Sequence, residues 1–293
     1  MPHTKGTTHT AHTPPNPQGT LVCLPGVNSG AYLFAQATQS LPNWRIITLN
    51  PPGTAGVPLP MPFSVTAYAR HAANLLKHLN IGGPIILLGH SMGGYAAQEF
   101  TRQNPTRVQR LILVSTSRGQ PDTTADVAAM QASTGQTLWQ FAQQTNRTPE
   151  ATIKHLFGNR FLHTQPEAYQ TFLAARQAHL PPTSVSLAHF TAGGAFSSYT
   201  WAHRITAPTL VIHGTADVLV TIQSGRKLAQ TLPHAHLLEL YDVGHFPMLE
   251  HEHFWQFVSQ FAHGQAVGMP ASQPPHLMQK LWQKAKSLFH PHV

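Results

Sequence analysis

Cysteine, acidic side chains and long apolar runs are all scarce in this sequence, and each shortage excludes something. One cysteine, Cys23, stands in 293 residues, so there is no internal disulfide framework, and a reducing cytoplasm is the simpler expectation for the compartment. Cys23 lies within an apolar stretch with no basic neighbour to lower its pKa, and reads as a small buried hydrophobe rather than a nucleophile. No stretch of about 18 apolar residues occurs, and the N-terminal region lacks an apolar signal core. Neither a membrane span nor a cleaved secretion signal is expected.

Aspartate and glutamate number 10 against 18 lysines and arginines, for a formal charge of +8. Charged residues form 10% of the chain, well under the roughly 25% of an average soluble domain, and Gln, His, Thr and Pro fill the surface instead. Clustered cations would suit nucleic acid, but here they are scattered through residues 1–270, so no nucleic-acid partner is expected. His3, His9 and His12 have no carboxylate or cysteine among them, which favours a solvated tail over a metal site. No metal or organic cofactor is implied.

What the chain does contain is an alternation of strand and helix. Residues 1–18, rich in Thr, His and Pro without periodicity, predict a disordered or loose tail. Thr20, Leu21, Val22, Cys23 and Leu24 form a short apolar strand ending in Pro25, Gly26, Val27, Asn28, Ser29 and Gly30, and helical spacing follows over 31–41. Residues 44–49 read as a strand and 50–56 as a loop rich in Pro and Gly. Apolar residues at Val65, Tyr68, Ala72, Leu75, Leu76 and Leu79 give a helix period, with Ser64 as N-cap. A buried strand at 84–88, a helix from 92 and a strand at 108–114 continue the order. Such alternation argues a parallel sheet with right-handed crossovers.

Strand patterns vanish over 117–205, where helices are predicted at 124–145, at 149–156 with Thr148 as cap, and at 166–179. Most apolar residues of this insertion, among them Trp139, Phe157, Phe161 and Phe172, would form its own core, and a minority would line a pocket. The sheet resumes at 209–213 and 236–241, and a helix follows at 253–261. The chain therefore divides into a core at 19–116 and 206–263, a helical lid insertion at 117–205, and a linker with a basic amphipathic helix at 264–293. In that helix, over 276–289, Leu277, Met278, Leu281, Trp282, Leu288 and Phe289 share a face that Lys280, Lys284 and Lys286 avoid. Docking onto the protein's own body is the first reading; peripheral contact with a membrane or partner is the second.

Ser91 stands at the turn between strand and helix, flanked by Gly89 and Gly93 in the G-x-S-x-G spacing. A nucleophile held on so sharp a turn has neighbours too close on both sides for a β-carbon. The hydroxyl is thereby exposed, and the Met92 N–H at the helix start is aimed where a tetrahedral oxyanion would form. The Val27 N–H, in the Gly-containing turn after another strand, is the candidate second donor. Asp217 and His245 both follow sheet strands on the edge that carries Ser91. His245 would take the Ser91 proton and Asp217 would fix its tautomer. Asp242 is the rival acid by proximity to His245, but reads better as a cap or turn residue.

Gly89, His90, Ser91, Met92, Gly93 and Gly94, the acid loop from Gly214 to Asp217, and the run from Gly244 to Glu250 together resemble the α/β-hydrolase fold superfamily over about residues 20–262. That resemblance implies a three-layer α/β fold with a mostly parallel sheet, helices on both faces and a helical lid. It implies a Ser91, Asp217, His245 triad with Val27 and Met92 as oxyanion donors. No acid ends the 108–114 strand, where some members carry it, which favours Asp217. Three departures stand out: Pro25 and Gly26 replace the His-Gly common in the family, Asn50 stands where many relatives have Asp, and the opening antiparallel strands are not recognisable in 1–18. A sheet of about six strands is therefore expected.

The expected reaction is hydrolysis of a small-molecule carboxylic ester with an apolar acyl or aryl group, through an acyl-enzyme on Ser91. A serine nucleophile argues against the dehalogenase and epoxide-hydrolase chemistry of similar proteins, which uses aspartate. Residues 21–26 with Ala31, Tyr32, Leu33 and Phe34 also resemble the opening of stand-alone thioesterases, so acyl-thioester cleavage is the alternative. Lactonase and carbon–carbon hydrolase activities use the same triad. A non-catalytic binding member of the fold is the alternative of another class, and the intact triad argues against it.

Overall fold

The computed structural model describes residues 8–268; His3 and the amphipathic segment expected at 276–289 lie outside the described residues. The strands are β1 His9–His12, β2 Thr20–Leu24, β3 Arg45–Leu49, β4 Ile85–His90, β5 Val108–Val114, β6 Thr209–Gly214 and β7 Ala235–Leu240. Between and after them lie α1 Ala37–Ser40, α2 Val65–His78, α3 Met92–Gln103, α4 Asp122–Thr134, α5 Leu138–Arg147 and α6 Pro149–Ile153. These are followed by α7 Asn159–Thr164, α8 Pro166–Ala178, α9 Thr183–Ala195, α10 Ile222–Thr231, α11 Pro247–Glu250 and α12 Phe254–Ala262.

The strands form one sheet in the order β1-β3-β2-β4-β5-β6-β7, parallel except for β1, which runs antiparallel to β3. The strand alternation sends side chains to opposite faces. Leu21, Cys23, Ile86, Leu88, Ile112 and Val114 pack with Phe34, Phe254 and Phe257 on one face. On the other, Val22, Leu24, Leu87, Leu111 and Leu113 pack with Tyr68, Phe100 and Leu228 from α2, α3 and α10. Both faces of the central strands are buried, which is why those strands read as unbroken apolar runs. Cys23 is fully buried, and burial pushes its thiol pKa up, away from reactivity.

Two expectations about the N-terminal region are corrected. Residues 9–12 are not loose tail but an edge strand, and among the described residues the sheet has seven strands rather than about six. The strand is short and polar and pairs with β3 alone, so backbone hydrogen bonds, not a hydrophobic pattern, hold it. Residues 31–41 form a 3₁₀ turn, Ala31–Phe34, and the single-turn α1 instead of one helix.

The segment between β5 and β6 is helical, as its lack of strand pattern predicts, but its divisions differ. The helix expected over 124–145 is two, broken where Gly135 takes φ 67° to end α4. A capping box then opens α5: Thr137 Oγ1 accepts from the Gln140 N–H and Gln140 Oε1 accepts from the Thr137 N–H. Helix α9, rich in Thr, Ser and Gly, has weak apolar periodicity and is not among the expected helices.

The junction of β2, β4 and α3 is packed backbone to backbone. A β-carbon at Gly93 would lie 2.0 Å from the Leu24 carbonyl oxygen, and one at Gly89 would lie 2.4 Å from the Gly93 carbonyl oxygen. Alanine favours a helix over glycine by roughly 1 kcal/mol, but this contact is with backbone and has nowhere to go. Gly93→Ala is expected to cost about 2 kcal/mol or more in urea denaturation. Gly82→Ala, with nothing within 4 Å of its β-carbon, is expected to change stability by less than about 0.5 kcal/mol. Equal stability of the two variants would contradict the packing argument.

Candidate active site

Ser91 follows β4 and precedes α3 with φ 55° and ψ −123°, a left-handed conformation rare for a residue with a β-carbon. Its backbone is held from three sides. The Ser91 N–H donates to the Val114 carbonyl at 3.0 Å, and its carbonyl accepts from Gly94 N–H at 2.8 Å and Thr116 Oγ1 at 2.9 Å. Gly26 passes close by: a β-carbon there would lie 2.8 Å from Ser91 Cβ and 3.2 Å from its Oγ.

His245 Nδ1 donates to Asp217 Oδ2 at 2.7 Å, and both residues are buried. Asp217 Oδ1 accepts from the Leu219 and Val220 N–H groups at 2.9 and 3.0 Å. Burial by itself would raise the Asp217 carboxyl pKa, but the charge and hydrogen bond of His245, with those N–H donors, hold it below the usual carboxylate range. Asp242, the rival acid, is turned outward and accepts from the Arg160 N–H at 3.1 Å, capping α7. No hydrogen bond joins Ser91 Oγ to His245; the two side chains line one cavity.

Behind His245 lie two further histidines and a glutamate. His90 Nε2 donates to the His245 carbonyl at 2.8 Å while the two rings sit 4.8 Å apart. Burial, reinforced by the neighbouring His245, pushes the His90 pKa down to about 3, so it faces His245 as a neutral ring. His213 is likewise held neutral by burial and donates from Nε2 to the Val220 carbonyl at 2.8 Å. Glu250 Oε2 accepts from Gly158 N–H at 2.7 Å and Gly244 N–H at 2.9 Å, while Oε1 accepts from Phe246 N–H at 3.1 Å. Burial pushes Glu250 up to about 7 against those donors. The histidine loop is thus fixed from inside by Glu250 and from above by the insertion, whose Leu156 carbonyl accepts from the His245 N–H at 2.7 Å.

A cavity of about 110 Å³ opens over Ser91 and His245, beneath the insertion. Val127, Leu138, Phe141, Ile153, Leu156 and Phe190 make much of its wall apolar. Among the insertion's apolar residues, Leu138 and Phe141 line the cavity, whereas Phe157, Phe161 and Phe172 belong to the core and Trp139 is exposed. Val27 and Met92 both border the cavity, and neither backbone N–H has a protein partner among the described residues. The loop carrying Val27 is braced by Asn50 Oδ1, which accepts from Ala31 N–H at 2.8 Å, and by Tyr68 OH, which donates to the Pro25 carbonyl at 3.1 Å.

Sequence reasoning gave no role to His90, Glu250, Asp126 or Arg176. His90 and Glu250 lie inside recognisable motifs, so position was a usable signal for them; Asp126 and Arg176 sit on insertion helices and carry none. Among the described residues, no cluster of three or more His, Cys, Asp or Glu is disposed to hold a metal ion. No described helix is long and apolar enough to cross a membrane.

The buried neutral His90 fixes a sign for acid sensitivity. Its folded pKa is about 3, whereas the unfolded chain titrates near the ordinary histidine value of about 6.5. Between those values the unfolded state binds the extra proton. Stability from this group is present above about pH 6.5 and lost as pH falls toward 3, by about 1.4 kcal/mol per pH unit. His90→Gln keeps a donor for the His245 carbonyl and cannot titrate. It is expected to flatten the slope of unfolding free energy against pH by about one proton between about pH 4.5 and 6. An unchanged slope would show that His90 titrates normally in the folded protein.

Residues 19–252 match the family profile described as the alpha/beta hydrolase fold. A poly(3-hydroxyalkanoate) depolymerase of Ectopseudomonas oleovorans is 28% identical over 234 residues, covering 77% of this chain and 77% of its own. A pimeloyl-[acyl-carrier protein] methyl ester esterase of Chromobacterium violaceum is 30% identical over 184 residues, covering 58% of this chain and 66% of its own. Among solved structures, a thermophilic esterase from Thermogutta terrifontis superposes with a TM-score of 0.72 at 22% identity, over 87% of this chain and 92% of that one, which is a likeness of fold. The chain belongs to the alpha/beta hydrolase fold family.

Proposed function

We propose that this hydrolase cleaves a small-molecule carboxylic ester with an apolar acyl or aryl group through an acyl-enzyme on Ser91. The observation that carries the reading is the 2.7 Å bond from His245 Nδ1 to Asp217, buried at the wall of a largely apolar cavity that Ser91 also lines. One relative is named for a methyl ester, which supports an ester over other acyl substrates.

In this reading the Ser91 hydroxyl attacks the acyl carbon as its proton passes to His245 Nε2. Asp217 stays ionised and stabilises the imidazolium that forms. The neutral state of His90 matters here, because a second charge 4.8 Å from His245 would oppose that imidazolium. The developing oxyanion is met by the Val27 and Met92 N–H groups, which are otherwise unoccupied, the second at the N-terminus of α3. Collapse of the tetrahedral species expels the alcohol with the proton held by His245. Water then enters by the same route in reverse and frees the acid.

A fluorophosphonate probe is expected to add once to the protein and not at all to Ser91→Ala, read as intact mass. Turnover of aryl esters by Ser91→Ala is expected to fall by at least about 10³-fold, and by Asp217→Asn by about 10³–10⁴-fold, because the amide favours the wrong His245 tautomer. Undiminished turnover by either variant would remove that residue from the mechanism. Activity across acyl lengths should pass through a maximum set by the cavity.

A further inference from the structure

We propose that the cavity over Ser91 contains an anion subsite built on Arg176, so that the preferred ester also carries a carboxylate. This rests on Ser91 being the reacting residue and adds a charge to the substrate class given above.

Arg176 lies on α8 in the insertion, only 4% exposed, and borders the same cavity as Ser91 and His245. Its guanidinium makes no ion pair or hydrogen bond with any described residue, and Nη1 is fully shielded without a partner. The ionisable group that influences it most is Tyr32, whose phenol burial pushes up to about 12, so it is neutral and supplies no counter-charge. The carboxylates near the cavity are already engaged. Asp126 accepts from Thr221 N–H, Thr221 Oγ1 and Ser224 Oγ, and Asp217 from His245, Leu219 and Val220.

An arginine stays protonated under almost any burial, so this one is a desolvated cation at the border of the cavity without a partner among the described residues. Leaving a charge buried without a partner is unfavourable. Such a cost is consistent with a ligand that brings the opposite charge. The planar fork of donors suits a carboxylate, which it can bind through two parallel hydrogen bonds. The apolar side chains sharing the cavity suit an aliphatic spacer between ester and acid.

The test is calorimetric titration of Ser91→Ala with two series of uncleaved ligands. One comprises monomethyl esters of diacids of about four to eight carbons, with the acid on the acyl side; the other comprises 3-acyloxybutyrates, with the acid on the alcohol side. Each is compared with its fully methylated neutral counterpart. In one series the anion is expected to bind about tenfold or more tighter than the neutral ester, at one or two chain lengths, and Arg176→Met added to Ser91→Ala is expected to abolish that preference. Arg176→Met alone should leave the melting temperature unchanged or raise it, since it removes an unpaired buried charge. Equal binding of anion and neutral ester throughout both series, or no measurable binding by any anion, overturns the subsite. So does loss of both ligands in the double variant together with a lowered melting temperature, which would mark Arg176 as structural. The two readings fail separately. Turnover of neutral esters without any anion preference removes the subsite and leaves Ser91 chemistry standing, whereas anion preference without fluorophosphonate labelling does the reverse.

Discussion

Burial of the Asp217 carboxylate is the constraint on which the rest of the site depends. An ionised carboxylate taken out of water costs several kcal/mol unless donors surround it. Here one oxygen receives the His245 ring N–H and the other receives two backbone N–H groups from the turn just beyond it. Satisfying the charge therefore folds the loop after β6 onto itself and draws in the loop after β7. Both loops leave the C-terminal edge of one parallel sheet, where β4 delivers Ser91. The sheet sets the positions of three strand ends, and the buried charge sets the conformation of the loops that leave two of them.

The insertion is keyed to this arrangement rather than resting loosely above it. A β-carbon at Gly158 would lie 1.9 Å from the Asp242 carbonyl oxygen and one at Gly244 would lie 2.3 Å from the Leu156 carbonyl oxygen, so the two chain segments touch backbone to backbone. Glu250 ties them further by accepting from both Gly158 and Gly244. On the opposite side of the cavity, Asn28 in the loop after β2 joins Asn146 of α5 and Ser186 of α9 in a closed set of hydrogen bonds of 2.6 to 3.3 Å. His189 of α9 donates to the Pro52 carbonyl at 2.7 Å. The roof of the cavity is thus pinned at three places, to the loops that carry the histidine, Val27 and Pro52.

How much of this was legible in the sequence depends on whether a feature leaves a local trace. The apolar runs of β2, β4, β5 and β6 announce strands buried on both faces, and the Gly89, Ser91, Gly93 spacing announces a turn with no room for side chains. Ser64 as the cap of α2 is equally local, and its hydroxyl does accept from the Ala67 N–H. By contrast β1 is four residues of mixed polarity that become a strand only because β3 has a free edge. The break at Gly135 is hidden because apolar residues continue on both sides of it. Asp217 is preferred over Asp242 by its place after a strand, and the geometry distinguishes them by direction: one points into the core at His245, the other caps a helix in the insertion.

Arg176 illustrates the opposite limit. On a helix wheel a single arginine near the end of α8 reads as a solvated residue that favours the helix C-terminus, and nothing within a turn of it says otherwise. Its burial is created by chain segments more than a hundred residues away, where the loop after β2 brings Tyr32 against Phe172 and His179 of the same region. Propensity and packing both tolerate arginine at that position, but neither supplies the missing counter-charge. A residue whose local preferences are met and whose electrostatics are not is one whose presence folding alone leaves unexplained. Around this cavity the His245 imidazole and the Asp217 and Asp126 carboxylates are met by neighbours in the chain, whereas the described residues leave the guanidinium on α8 unbalanced.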